Sequence, residues 1–322
     1  MFIPSRRTFM AAALASFAVF SAISTSYAQD NTLRIIVPYP AGGSTDLAAR
    51  IIANELQPRL GSTVVVENMV GAGGRLAMQN IKRMPADANV LVIANPALMT
   101  VAPIVYKTNG YEPEADFQAL SQVTSYEFGV AVGAAVPVRE FPHMMAWIKA
   151  NPDKANIGVP ATGSLPHFFA LMVNKATGTA TPVVGYKGSA PLSTDLMGGH
   201  VPVAIDSLDA LLPQHQGGKI KILGTSGDKR SVPNIPTLKE SGFNTSAIGW
   251  NVIFAKASMP ADKATRIAKE IAAIMQLPAV REKFLAAKAE PISSTQAQTK
   301  TMLTNFKAQW QPVIVQSGLK FD

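Results

Sequence analysis

Two short segments of the chain place small residues and hydroxyl groups where a strand should end and a helix should begin. The first segment holds Tyr39, Ala41, Gly42, Gly43, Ser44, Thr45 and Asp46. Glycine lets the backbone approach a ligand closely, and the first turn of a helix presents unpaired N–H groups at the positive end of its dipole. The segment therefore predicts an anion site, with an ordinary strand-to-helix turn as the alternative.

The second segment, IGVPATGSLPH at residues 157–167, has the same order of strand, small polar loop and helix start. Its candidate ligand-binding residues are Thr162, Gly163, Ser164 and His167. Hydroxyl and backbone N–H donors suit a carboxylate, and Pro166 suits the first turn of a helix. We expect the two loops to face each other across a cleft. Two unrelated helix caps are the alternative.

Asp206 is a further candidate because it follows the apolar run at residues 201–205. It is placed to fix a bound water or a ligand amine. A cap of the following turn explains it equally well.

Other chemistry has little support in the sequence. The chain has no cysteine, which removes thiol catalysis and thiolate metal sites. A dinucleotide site is not expected, because Leu76 stands where the glycine-rich segment at residues 70–75 would need its third glycine. No histidine has metal-ligand spacing, so neither a metal nor a cofactor is expected. A serine hydrolase that uses Ser164 and His167 remains a remote alternative.

The elements that must position these residues alternate along the chain. Apolar runs near residues 33–37, 63–66, 90–94, 130–132, 157–159, 201–205, 220–224 and 250–255 predict strands, and helical patterns lie between most of them. This alternation predicts an α/β fold with mostly parallel sheets. The region after residue 262 is predicted to be helical with no strand.

The length favours two domains, and no linker separates them in sequence. We therefore expect discontinuous domains, with residues 29–127 and 248–322 in one and residues 128–247 in the other. The predicted hinge consists of two crossing segments at residues 122–132 and 247–255. No internal repeat is evident.

Residues 1–28 resemble an export signal, with Arg6 and Arg7 before an apolar run and a small-residue cleavage site. The paired arginines indicate the twin-arginine route, with an ordinary secretion signal as the alternative. We expect a periplasmic protein without a lipid anchor. The formal net charge of +8 comes from scattered basic residues, so nucleic acid is not an expected partner.

The segments VPYPAGGSTDLAAR, VVVENMVGAGG, VGYKGSAPLSTDLMGGHVPVAIDS and VPNIPTLKESG closely resemble the Bug-type (TctC-like) extracytoplasmic solute receptors. These receptors are the binding components of tripartite tricarboxylate transport systems. The resemblance implies a two-domain, flytrap-like periplasmic binding protein that is not an enzyme. It also implies that both loops and Asp206 contact a carboxylate ligand.

The chain departs from the family pattern at several positions. Leu98, Met99 and Ala102 replace polar residues that are common in the family, and Arg75 stands where a small or amide residue is common. These departures favour a ligand with an apolar or aromatic body, either a mono- or a dicarboxylate.

We therefore expect a monomeric receptor that delivers a small organic carboxylate to membrane permease subunits. A receptor that docks on a signalling partner is the alternative.

Overall fold

The computed structural model describes residues 32–133, 136–286 and 289–322, without the side chain of Ser44. The predicted export signal lies outside these residues. Within them, ten strands form one sheet: β1 (Leu33–Val37), β2 (Val64–Asn68), β3 (Val90–Ala94), β4 (Phe117–Val132), β5 (Ile157–Val159), β6 (Val183–Gly185), β7 (Val203–Ser207), β8 (Lys221–Thr225), β9 (Ile248–Lys256) and β10 (Glu290–Pro291).

The helices surround this sheet and follow the predicted alternation. They are α1 (Ser44–Leu60), α2 (Arg75–Arg83), α3 (Ala102–Val105), α4 (Pro113–Asp116), α5 (Phe141–Ala150), α6 (Leu165–Thr177), α7 (Ser189–Gly198), α8 (Leu208–Gln216), α9 (Ala261–Ile274), α10 (Pro278–Ala286) and α11 (Gln296–Gln316). A 3-10 turn at Ala72–Gly74 precedes α2, and a π-helical turn at Ala97–Val101 precedes α3.

The first part of the sheet is built around β1, which pairs in parallel with β2 on one side and β3 on the other. Helices cover both faces of such a sheet, so its strands read as continuous apolar runs. Ile35, Ile36 and Val37 are accordingly fully buried. The antiparallel strand β9 then extends the sheet from β3.

The second part repeats this arrangement around β5, which pairs in parallel with β6 and β7. Here the antiparallel strand next to β7 is β4. The loops that follow β1 and β5 therefore occupy equivalent places, at the carboxyl end of the central parallel strand. Ligands of open α/β sheets bind at these ends. The similar order of strand, loop and helix in the two segments was visible in the sequence, but the repeat of the whole strand arrangement was not predicted.

Strand β4 connects the two parts because it is much longer than its predicted core at residues 130–132. It pairs with β9 from Phe117 to Glu127, and with β7 from Phe128 to Val132. Both predicted crossing segments overlap this pairing. The domain boundaries themselves stay a prediction.

The C-terminal region is mostly helical, as expected, but it is not free of strand. The two-residue strand β10 pairs with β4 opposite Thr124 and Ser125. Helix α11 then returns to the sheet, where Trp310 packs edge-on against Phe128 of β4, and Phe128 also contacts Phe169 of α6. Across the described ranges, no helix is long and apolar enough to cross a membrane.

Candidate functional site

The first loop joins β1 to α1 and leaves the helix start without a side-chain cap. The N-cap residue is Gly43, which has an extended backbone (φ −78°, ψ 168°) and no side-chain hydrogen bond. The first-turn N–H groups of α1 are therefore open to an external acceptor. Asp46 does not cap the helix: its side chain reaches back and accepts the N–H of Gly42 at 2.9 Å.

Asp46 is the centre of a charged network that holds this loop. It is 3% exposed and pairs with Arg50, whose Nε and NH2 donate to its two oxygens at 3.0 Å each. Asn68 Nδ2 donates to Asp46 Oδ1 at 2.8 Å and to the Tyr39 carbonyl at 3.0 Å. Hydrogen bonds from Arg50, Gly42 and Asn68 lower the pKa of Asp46 to about 2 against the opposing effect of burial. Asp46 is thus a fully engaged carboxylate that organises the loop.

Side chains of the first loop also contact residues of the neighbouring strands β9 and β4 and the residue that follows β3. The Tyr39 hydroxyl is buried near the Asn95 side chain and makes no direct hydrogen bond within the described residues, and burial raises its pKa. Thr45 Oγ1 lies 3.5 Å from Asn251 Oδ1, and Asn251 Nδ2 donates to Thr124 Oγ1 at 2.8 Å. These contacts connect the loop to β9 and β4. Ala41, Gly42 and Gly43 stay exposed at its tip.

The second loop joins β5 to α6 and has the same backbone shape with different side chains. The N-cap of α6 is Ser164 (φ −75°, ψ 164°), whose Oγ accepts the N–H of His167 at 3.4 Å. The imidazole of His167 accepts the Gly163 N–H through Nδ1 at 3.2 Å. Burial lowers the pKa of His167, which keeps this acceptor neutral. Pro166 lies in the first helical turn, as predicted.

The two loops correspond position by position. A glycine with positive φ, Gly42 at +88° or Gly163 at +78°, donates its N–H to the side chain four residues later. That acceptor is the charged Asp46 in the first loop and the neutral His167 in the second.

Thr162 is exposed at the base of the second loop and packs against β6. A Cβ on Gly185 would lie 2.2 Å from Thr162 Oγ1, so this close approach requires glycine at position 185.

Asp206 is 2% exposed and only partly satisfied. Its Oδ1 accepts the Ser207 N–H at 2.7 Å, whereas its Oδ2 has no hydrogen-bond donor among the described residues. Burial raises the pKa of Asp206 to about 6, opposed by the nearby Ser189 hydroxyl and the Ser207 N–H. A buried carboxylate with a free oxygen can accept a hydrogen bond from a ligand or a water.

Aromatic side chains connect the neighbourhoods of the two loops. Phe321 contacts the second loop, because its Cε2 lies 3.0 Å from where a Cβ on Gly163 would be. The Phe321 ring is 5.4 Å from that of Tyr106, and the two residues form a β-bridge. Tyr126 of β4 is partly buried, and burial raises its pKa, with smaller contributions from Tyr39 and Asp209. Tyr126 therefore lies between the two parts of the sheet.

The geometry does not pair the Ser164 hydroxyl with the His167 imidazole as a nucleophile and its base. The Ser164 hydroxyl meets the main chain of His167, while the imidazole Nδ1 is occupied by Gly163. Across the part of the chain that the structure describes, no group of acidic and histidine side chains could hold a metal ion. A cavity of about 740 Å³ lies elsewhere, between α11 and strands β4 and β9, and none of the predicted site residues lines it.

Sequence reasoning missed several residues of this site. The Arg50 contact was predictable from the sequence, because Arg50 lies four residues after Asp46 and this spacing on a helix favours an ion pair. Asn95 was also predictable as a residue of this site, since it directly follows β3 at the same edge of the sheet. Phe321 and Asn251 gave none, because their contacts come from distant parts of the chain.

Comparison with known proteins identifies the family. The model of the tripartite tricarboxylate transporter family receptor matches residues 48–319. BugT from Bordetella pertussis is 28% identical over 95% of this chain and 95% of its own length. Among solved structures, R. palustris Rpa4515 with adipate superposes with a TM-score of 0.77 at 28% identity, over 90% of this chain and 98% of its own. The periplasmic binding protein BugD gives a TM-score of 0.72 at 27% identity, with 90% and 98% coverage. The chain belongs to the tripartite tricarboxylate transporter receptor family.

Proposed function

We propose that this protein is a periplasmic receptor that binds a small organic carboxylate between its two equivalent loops and delivers it to a membrane permease. The observation that carries this proposal is the uncapped start of α1, where Gly43 leaves the first-turn N–H groups without a side-chain acceptor. Such N–H groups and the helix dipole bind carboxylates through charge-assisted hydrogen bonds. The adipate bound to the related Rpa4515 supports a carboxylate as the ligand.

Each loop has a distinct role in this proposal. The tip of the first loop, from Ala41 to Ser44, supplies backbone donors, and Asp46 holds the tip in shape. The second loop adds donors around Thr162 and Gly163, while Asp206 accepts a hydrogen bond from a ligand hydroxyl or a water. Closure about β4 and β9 brings the loops together, so affinity depends on the contacts that only the closed state makes.

Thermal-shift screening with mono-, di- and tricarboxylates, aromatic acids and amino acids tests the proposal. A ligand at 100 times its dissociation constant stabilises a protein by about 2.7 kcal/mol. We expect at least one acid to raise the midpoint, and the matching amide to have no effect. If no acid shifts the transition, the carboxylate claim is wrong.

Delivery to a permease requires its own test. We expect the liganded receptor to bind permease subunits in a pull-down and the free receptor to bind them less. Binding to a signalling protein instead would replace transport with sensing.

A further inference from the structure

The last residues of the chain leave α11 and return to the first part of the sheet. Gly318, with φ +67°, ends the helical path after α11. The Phe321 N–H then donates to the Val105 carbonyl at 2.7 Å, and the Phe321 carbonyl accepts the Lys107 N–H at 3.1 Å. The C-terminal segment, residues 319–322, is therefore fixed by main-chain hydrogen bonds to the residues that end α3 and follow it.

Side chains of the C-terminal segment add to this attachment. Lys320 Nζ donates to the Ile104 carbonyl at 2.6 Å, and Lys107 Nζ pairs with Asp322 Oδ1 at 2.6 Å. Both side chains of this ion pair are exposed, so the pair contributes little to stability. The Phe321 ring packs on the Tyr106 ring, with centroids 5.4 Å apart. The aromatic contact and the main chain are thus the main attachments.

The ring of Phe321 also meets the second loop. Its Cε2 and Cζ atoms lie 3.0 and 3.2 Å from where a Cβ on Gly163 would be. The ring edge therefore fills the space beside the Gly163 backbone. A residue that is fixed to the first part of the sheet in this way contacts the loop between β5 and α6, which belongs to the second part.

This contact differs from the contacts that α11 makes at β4. Trp310 packs on Phe128 of β4, the strand that runs through both parts, so their contact can be kept when the parts rotate about that strand. The contact between Phe321 and Gly163 is lost when the two parts separate. It therefore stabilises only conformations in which the parts are together.

We propose that residues 319–322 form a C-terminal latch, in which the Phe321 ring holds the second loop to the first part of the sheet and raises the population of the closed state. The apparent dissociation constant of a receptor rises as the binding-competent fraction falls. The latch therefore strengthens the binding of a carboxylate without contacting it. The inference rests on the proposed function, because closure is part of that proposal.

Distances between two spin labels test the latch in the protein without a ligand. The chain has no cysteine, so Asn54→Cys on α1 and Ala176→Cys on α6 introduce exactly one exposed label site in each part. The latch variants are Phe321→Ala and Asp322→Asn. The control is Val315→Ala, which shortens an exposed side chain of α11. Pulsed electron resonance measures the distances, and stopped-flow measures dissociation of the acid that binds best in the thermal-shift screen.

We expect Phe321→Ala to shift the unliganded protein towards longer distances and to lower the closed fraction about fivefold, which weakens acid binding by the same factor. The loss should lie in faster dissociation. Asp322→Asn should change both readouts less than about twofold, because its ion pair is exposed. Val315→Ala should change neither.

Two results overturn the inference and leave the proposed function intact. One is an unchanged distance distribution in Phe321→Ala, with and without acid, even if affinity falls, since Phe321 would then not control closure. The other is a shift that Val315→Ala reproduces, which would assign the effect to α11 as a whole. If no acid binds the wild type, the proposed function fails, and the distances of the unliganded protein still decide the inference.

Discussion

The two loops share one backbone design but are held by opposite means. Each places a positive-φ glycine before the N-cap residue and donates that glycine's N–H to the side chain four residues later. In the first loop the acceptor is the ion-paired Asp46 and the N-cap is the bare Gly43. In the second loop the acceptor is the neutral His167 and the N-cap is Ser164, which caps its own helix. The first loop is thus held by a charged network with its helix start uncapped, and the second is held by neutral groups with its helix start capped.

The pairing of Asp46 makes the proposed anion site of the first loop compatible with a carboxylate in the same loop. Asp46 would repel a ligand carboxylate if it were free, but Arg50, Asn68 and Gly42 occupy both of its oxygens. Its charge is balanced within the loop, so the open N–H groups of α1 decide the polarity of the tip. The second loop needs no such balance, because it carries no charge.

The largest expected change in stability comes from removing the two equivalent acceptors, Asp46 and His167, and the two losses should differ. Asp46→Ala removes the counter-ion of the half-exposed Arg50 and leaves the Gly42 N–H and one Asn68 N–H without an acceptor, so we expect a loss of about 2 kcal/mol in the free energy of unfolding. His167→Ala removes a neutral acceptor, and we expect a loss of about 1 kcal/mol. Urea denaturation measures both. Equal costs would mean that charge does not distinguish the loops.

The paired Asp46 and the partly satisfied Asp206 should respond to pH in opposite senses. The folded pKa of Asp206, about 6, exceeds its ordinary value, so the folded state holds the proton longer. Stability is therefore lost as pH rises from about 4 to about 6, by up to about 3 kcal/mol.

Asp206→Asn tests this assignment. The variant should become more stable relative to the wild type across that pH range, and it should bind the carboxylate more weakly. Denaturation at pH 4, 5, 6 and 7 measures the difference. A difference that stays constant with pH would show that Asp206 is not a strained carboxylate.

The two positive-φ glycines should differ in what surrounds them. Alanine at either position costs about 1 kcal/mol in backbone strain. Space around Gly42 is open, whereas a Cβ on Gly163 meets Phe321. We therefore expect Gly163→Ala to be more destabilising than Gly42→Ala, by about 1 kcal/mol.

A second substitution makes this prediction specific. Phe321→Ala should recover part of the Gly163→Ala loss and none of the Gly42→Ala loss in a double-mutant cycle. If both glycine variants respond alike to Phe321→Ala, the contact between Phe321 and the second loop is not the cause.

The smallest expected effect is the titration of His167. Its folded pKa lies below its ordinary value of about 6.5, so the unfolded state takes up the proton first as pH falls. Its contribution to stability is present at pH 7.5 and declines below about pH 6.5, whereas the Asp46 contribution declines only below about pH 4 and is lost near pH 2. Imidazole NMR signals measure the titration. A His167 pKa above 6.5 would contradict the neutral-acceptor assignment.

Local patterns in the sequence located both loops, and their elements formed close to the predicted bounds. Leu33–Val37 and Val90–Ala94 match prediction, because buried parallel strands have distinctive apolar runs. The α/β class followed from that alternation, but the prediction of mostly parallel strands was wrong, because the long strands β4 and β9 make antiparallel pairs. The role of Asp46 was harder to predict, because an aspartate at a helix start is typical of an N-cap. Its partner Asn68 also lies on a different element, strand β2.

The parts that sequence missed depend on pairing between distant segments. Strand β6 is only three residues long, and β10 only two, so neither has a periodicity to read. The contact between Phe321 and the second loop joins the end of the chain to its middle. The structural repeat was equally hidden, because the two halves share topology and not residue pattern.

The most direct test of the account is to follow the backbone amides while a carboxylate is added. We predict that adipate, or the best acid from the screen, produces saturable shifts concentrated in residues 42–46 and 162–164 of a ¹⁵N-labelled protein. Asp46→Ala should reduce them in the first loop. Saturable binding that leaves both loops unchanged and shifts other amides, for example those around Trp250, would contradict the two-loop site.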